Sequence, residues 1–305
     1  NLHDQDINYS AGHTFKTATL SFLAPPEDYD SALSATRSNA VKLIAHIYSI
    51  LSSFIPGHIA KYPADFEPRA FGDNFQKLGT STILIESGCW KNDIEKQYVR
   101  KMNFIALLAS FKSIIEQSYN QQSFETYDEI PFNESDLMSL IIRNVTFKRN
   151  GNDCKIDIGI NRTEVNTNNA KNFYFKSAVE DIGDLSVFFG HEDYNLDGME
   201  ITAGKTYPVP INSISEIENL DFIKLYEEGY TNIFLNSGQF NDQYSKFPVN
   251  IVTGGNLKHE NDIKTGEIPN YLIKKDGKLR YSVINGFITD VRDFQWENKN
   301  GIIFS

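Results

Sequence analysis

Two side chains stand where their types and positions suit them to chemistry. His3 lies in Asn-Leu-His-Asp-Gln, and Glu86 closes the apolar run Thr82-Ile83-Leu84-Ile85. A histidine where a strand gives way to a loop can offer a neutral imidazole nitrogen to a metal, with a carboxylate such as Asp4 orienting the ring. The plainer reading is a surface or capping histidine. A carboxylate at the end of an apolar strand is partly desolvated, which suits it to take a proton as general base. The plainer reading there is a Glu satisfied by backbone amides at a strand-to-loop corner. In α/β sheets, sites gather at the carboxyl ends of strands.

Other chemistries lack their motifs. The six histidines, His3, His13, His46, His58, His191 and His259, begin no H-x-x-E or H-E-x-x-H, and no two lie three or four residues apart. A self-contained helical zinc motif is therefore absent from this sequence. There is no G-x-S-x-G elbow, no phosphate-binding G-x-x-x-x-G-K-[ST] loop and no G-x-G-x-x-G after a strand. Cys89 and Cys154 are the only cysteines, too few for a disulfide framework and too far apart for a thiolate knuckle.

The elements that must position His3 and Glu86 read as alternating strand and helix. Phe15 to Leu23 has strand composition and stops at Pro25-Pro26. From Ser31 to Phe54, apolar residues recur at three- and four-residue spacing until Pro56-Gly57, which predicts a helix. His58 to Gly79 reads as a long irregular loop, and long loops in compact domains are often functional. Strand character returns at Thr80 to Ser87. Ile94 to Gln117 predicts a long amphipathic helix with Tyr98, Met102, Ile105, Leu108, Ala109, Phe111, Ile114 and Ile115 on its inner face.

A polar connector follows, and the pattern changes. The organisation expected is an α/β unit over 1–119, a linker over 120–134 and a mainly β unit over 135–305. Leu137 to Phe147 and Lys155 to Ile160 read as strands joined across Asn150-Gly151, and Tyr271 to Lys274 and Leu279 to Ile284 as a hairpin around Asp276-Gly277. Short strands are expected at Phe173 to Lys176, Val187 to Phe189, Ile233 to Leu235 and Asn250 to Val252, with one helix at Glu216 to Glu228.

Taken together, Asn1-Leu2-His3-Asp4-Gln5, Ser21-Phe22-Leu23-Ala24-Pro25, Arg69-Ala70-Phe71-Gly72-Asp73-Asn74-Phe75 and Thr82-Ile83-Leu84-Ile85-Glu86-Ser87-Gly88 resemble the C-terminal part of bacterial zinc carboxypeptidases of the carboxypeptidase A-like family. The resemblance covers residues 1 to about 117, and the order and spacing of the segments agree. It implies part of a mixed sheet with helices, His3 as third zinc ligand and Glu86 as general base. The reaction implied is zinc-dependent hydrolysis of a peptide substrate at or near its carboxyl end. By the same resemblance Tyr62 corresponds to a substrate-side tyrosine, although an aromatic packed on Pro63 would look alike. Arg69 is a candidate substrate contact, or else half of an internal pair with Asp73.

The sequence departs from the family in two respects that matter. The H-x-x-E that supplies the first two ligands is not present, and the arginines that hold the substrate carboxylate in the family also lie mainly in that missing part, so the chain reads as a fragment that is inactive alone. A non-catalytic binding or adhesion module on a degenerate peptidase scaffold is the alternative.

Composition limits the partners. Lys and Arg total 29 against 40 Asp and Glu, net −11, with about −1 in residues 1–119 and −10 in the remainder. Nucleic acid is not expected, because phosphate contacts need clustered Lys and Arg. No apolar run reaches the roughly 18 to 20 residues of a membrane span. In the second unit Asp181, Asp184, Glu192, Asp193 and Asp197 suggest either an oxygen-ligand calcium site or a solvated acidic face. Tyr194, Tyr207, Phe222 and Tyr230 suggest a ligand groove or, more simply, core. N-x-S/T triplets such as those at Asn133, Asn144 and Asn161 are what chance gives in an Asn-rich chain, and no feature specifies a compartment or an oligomeric state.

Overall fold

The computed structural model describes residues 1–149, 151–236, 243–253, 261–294 and 301–304. The chain forms two compact units, Asn1–Leu137 and Met138–Ser305. The first is mixed α/β with parallel strand pairs, and the second is mainly β.

The first unit runs β1 (Leu2–Asp4), β2 (Ser10–Ala11), β3 (Leu20–Leu23), α1 (Ala35–Leu51), β4 (Ile59–Lys61), α2 (Phe71–Lys77), β5 (Leu84–Ser87), α3 (Gln97–Glu116), α4 (Phe124–Asp128) and β6 (Asn133–Glu134). Four strands make a sheet in the order β1-β5-β3-β4; β1 and β5 are parallel, β3 is antiparallel to β5, and β4 is parallel to β3. Alternation along the strands sends Leu20, Phe22, Ile59 and Ile85 to one face, where α1 and α3 cover them with Val41, Ile44, Ile47, Val99 and Met102. Helix α1 begins at Ser34, whose side chain accepts the Arg37 N–H at 3.0 Å, a conventional N-cap.

Three expectations change here. The loop expected over His58 to Gly79 contains β4 and α2. Helix α3 buries Val99, Met102, Ala106, Ala109, Ser110 and Ser113, whereas Leu108, Phe111 and Ile115, assigned to its inner face, are 52%, 59% and 82% exposed. Met102 is buried and Tyr98 and Ile105 pack on the core as expected, while farther along the helix the small residues pack inward and the bulky ones remain outside. Residues 120–134, expected as a linker, belong to the first unit: Ile130 is buried in its core, and β6 pairs with β2.

Lys61 ties that last segment down. Its side chain is buried, and Nζ donates to the Tyr127 and Asp128 carbonyls at 2.9 and 3.0 Å between the rings of Tyr127 and Phe132. Burial pushes its ammonium below the usual lysine range. Lys61→Met keeps the length of the side chain but leaves two carbonyls unmet. A loss of about 2 to 3 kcal/mol is expected from the shift of the urea midpoint; a loss under about 0.5 kcal/mol would contradict the tether.

The second unit contains β7 (Leu137–Arg149), β8 (Asn152–Thr167), β9 (Asn172–Gly183), β10 (Phe189–Asn195), β11 (Met199–Ala203), β12 (Lys205–Thr206), α5 (Ile214–Glu218), α6 (Phe222–Glu227), β13 (Tyr230–Phe234), β14 (Tyr244–Ser245), β15 (Asn250–Val252), β16 (Tyr271–Lys275), β17 (Lys278–Ile284), β18 (Phe287–Asp290) and β19 (Gly301–Phe304). A large, mostly antiparallel sheet is ordered β18-β17-β16-β11-β7-β8-β9, with β10 also on β7; a second runs β12-β13-β15-β19-β14. The expected hairpin at Asp276-Gly277 is present, both residues having the positive φ of a tight two-residue turn. At the other hairpin Arg149 pairs with Asn152, while Asn150 lies outside the described residues. The helix expected over Glu216 to Glu228 is two short ones, α5 and α6. Phe222 sits in the second unit's core, and Tyr207 packs edge-on against Tyr230 at 5.2 Å. Among the described residues no helix is long and apolar enough to cross a membrane.

Candidate functional site

The sheet face opposite α1 and α3 is polar. Strand register puts His3 beside Glu86, Glu86 beside Ser21 and Ser21 beside Ala60, so an imidazole, a carboxylate, a hydroxyl and a methyl form one row across four strands. Residues paired in register share a face, and neighbouring strands lie about 4.8 Å apart. His3 and Glu86 therefore project side by side. A cavity of about 430 Å³ lies over them, walled further by Pro25, Ala70, Phe71, Gly72 and Leu84.

Tyr62 joins this row from the chain just after β4. Its backbone N–H donates to Phe22 O at 2.9 Å, which continues the strand, and its hydroxyl donates to Glu86 Oε2. Gln5 Oε1 is a second acceptor for that hydroxyl, at 3.0 Å. Burial, reinforced by the bond to the carboxylate, pushes the Tyr62 phenol well above the usual tyrosine range, so it stays neutral and remains a donor. Gln5 is buried and anchored in turn, with Nε2 donating to Ala18 O at 2.9 Å. Ser21 Oγ is buried and has no hydrogen-bond partner among the described residues.

The residues picked out from the sequence divide. His3 and Glu86 line the cavity together, and Tyr62, which does not line it, reaches Glu86. Arg69 does not: it is not among the residues lining the cavity, its side chain is 89% exposed, and its Nε lies 2.9 Å from Glu67 Oε1. The internal Arg69–Asp73 pair is not formed either, because Asp73 Oδ1 accepts the Glu67 N–H at 2.9 Å. Asp4 does not orient His3; strand alternation sends it to the other face, where it meets Lys96 Nζ at 3.0 Å. Instead, His3 Nε2 lies 3.1 Å from Asn1 Oδ1. Gln5 and Ser21 were missed. Gln5, two residues after His3, was within reach of the period-two rule; Ser21 needed the register.

Among the described residues no group of three or more His, Cys, Asp or Glu is placed to hold a metal. The acidic residues of the second unit show why no calcium site forms. Asp193 lies 2.7 Å from Arg143 Nη2, Asp197 2.6 Å from Lys155 Nζ, and Glu192 bonds Arg162. Asp181 and Asp184 accept the backbone N–H groups of Ile182 and Ser186. The carboxylates are partnered, not convergent.

No family model, no curated protein and no solved structure matches this chain.

Proposed function

We propose that the first unit is part of a zinc metallocarboxypeptidase, with His3 as one metal ligand and Glu86 as general base, acting on peptide bonds at or near the carboxyl end of a peptide. The observation that carries this reading is the register of His3 with Glu86 beneath one shared cavity. Glu86 takes a proton from the attacking water as oxygen bonds to the scissile carbonyl carbon, then passes that proton to the amine as the C–N bond breaks. Tyr62 aims the carboxylate by donating to its Oε2. Zinc, when bound, lowers the pKa of the water and polarises the carbonyl.

The ligand count limits what this chain does alone. A catalytic zinc has three protein ligands, and the described residues offer one imidazole at this site. The proposal therefore requires ligands from outside them. Calorimetric titration of the 305-residue chain with zinc is expected to show weak uptake, and tight one-to-one binding would contradict it. With the remaining ligands supplied, a chelator is expected to abolish hydrolysis of an N-acyl dipeptide; hydrolysis indifferent to chelation would overturn the peptidase. The incomplete ligand set also favours a second reading, a binding module on a degenerate peptidase scaffold. An H-x-x-E elsewhere in the same polypeptide separates the two.

A further inference from the structure

The turn between β17 and β18 is the dipeptide Asn285-Gly286, with φ of +47° and +72°. Both residues are needed there. At Gly286 an added Cβ would lie 2.7 Å from the Ser177 side chain and 2.9 Å from Ile160 Cγ2. Asn285 is fully buried and holds the turn through its amide: Nδ2 donates to Phe175 O at 2.7 Å, and Oδ1 accepts the Ser177 N–H at 3.0 Å. Its backbone N–H donates to Asn270 Oδ1 at 2.9 Å, and its carbonyl accepts from Ser177 Oγ at 2.6 Å. Aspartate would lack the Nδ2 donor, and any residue but glycine would lack the room at 286. A tight two-residue turn with two left-handed positions favours the same pair.

Asparagine is a thermolabile residue, most of all before glycine, whose backbone nitrogen has no side chain beside it to hinder attack. That nitrogen attacks Cγ of the asparagine: the N–Cγ bond forms, the Cγ–Nδ2 bond breaks, and ammonia leaves with the amide proton of the glycine. Water then opens the five-membered imide at one of its two carbonyls, giving aspartate or isoaspartate. In the folded unit each participant is held away from this reaction. The Gly286 N–H is engaged with Pro269 O at 3.0 Å, Cγ is fixed by the two bonds of its amide, and burial shuts out water. We infer that Asn285-Gly286 is a self-modification site, closed while the turn is packed and converted in one direction once it opens. The product does not reseat, because aspartate buries a carboxylate against Phe175 O and isoaspartate lengthens the main chain of a two-residue turn. Chemical change of the opened state then makes unfolding irreversible. The site lies in the second unit and is independent of the peptidase reading.

The test is mass spectrometry of the 305-residue chain held at mildly alkaline pH, read on the tryptic peptide 281–292, in which Asn285 is the one amide side chain. Deamidation there is expected to be roughly a hundredfold slower in the native chain than in guanidinium chloride, because it proceeds only through the open fraction. Ser177→Ala, a mild change that removes one bond to the turn, is expected to speed it about tenfold. Arg162→Leu, which frees the Gly286 carbonyl, should speed it further. Lys61→Met, in the first unit, should leave it unchanged. Deamidation of the native chain at the denatured rate would overturn the inference, as would equal rates in the native chain and Ser177→Ala. Asn285→Asp checks the one-way step. A lower urea midpoint is expected, and an unchanged midpoint would show that the product reseats and would overturn the inference as well.

Discussion

Glu86→Gln is expected to slow peptide hydrolysis about a thousandfold, with the fold unchanged, in a polypeptide that completes the ligand set. General base catalysis contributes typically 10² to 10⁴ in rate, and a neutral amide cannot take the proton of the attacking water. The substitution is conservative in every other respect. Gln is isosteric, its oxygen still accepts from Tyr62, and the side chain is only half buried, so no buried charge partner is orphaned. The loss should fall on kcat, with KM little changed, because the proton is taken only as the reaction proceeds. A loss under tenfold would remove Glu86 from the role of base. Tyr62→Phe separates aiming from chemistry, since it frees the carboxylate to rotate but leaves its basicity available, and a smaller loss is expected.

The largest stability effect is expected at Arg162 in the second unit. Its side chain, 11% exposed, bonds Glu192, donates from Nε and Nη2 to Gly286 O at 3.1 and 2.8 Å, and stacks on Phe287 at 4.2 Å. These contacts pin β8 to the turn between β17 and β18. That turn is crowded: Gly286 has φ +72°, and an added Cβ would lie 2.7 Å from the Ser177 side chain. Asn285, fully buried beside it, donates from Nδ2 to Phe175 O at 2.7 Å. Arg162→Leu leaves the Gly286 carbonyl and the Glu192 carboxylate without their partner, and about 3 kcal/mol should be lost. Arg162→Lys should recover only part, because an ammonium lacks the planar fork that reaches both oxygens. Urea denaturation measures both, and a loss below about 1 kcal/mol for the leucine variant would show that the turn is held without Arg162.

Particular residues show what could be read from the sequence. Helix α1 was legible because its apolar positions recur at helical spacing and face a single core. Helix α3 was legible as a helix but only half in its orientation: Tyr98, Met102, Ile105 and Ala109 face the core as expected, and Leu108, Phe111, Ile114 and Ile115 do not. It is apolar on nearly every side, and its closest packing uses Ala106, Ala109, Ser110 and Ser113, which hydrophobicity does not single out. Helix α2 was invisible for the opposite reason: its buried face is glycine, aspartate and glutamine. The segment after α3 looked like a linker because its polar run masks Ile130, whose burial depends on distant partners such as Lys61. At the candidate site, strand composition placed His3 and Glu86 near strand ends. Their adjacency is a matter of register between strands 83 positions apart in the chain, which no local pattern encodes.

That adjacency is mechanically lopsided. Glu86 rides on β5, which has a neighbour on either side, whereas His3 rides on β1, a three-residue strand that among the described residues pairs with β5 alone. The carboxylate is thus fixed by the interior of the molecule, and the imidazole by the few residues around it. Substitution of a residue beside the histidine, such as Asn1, would therefore move the imidazole and leave the carboxylate where it stands.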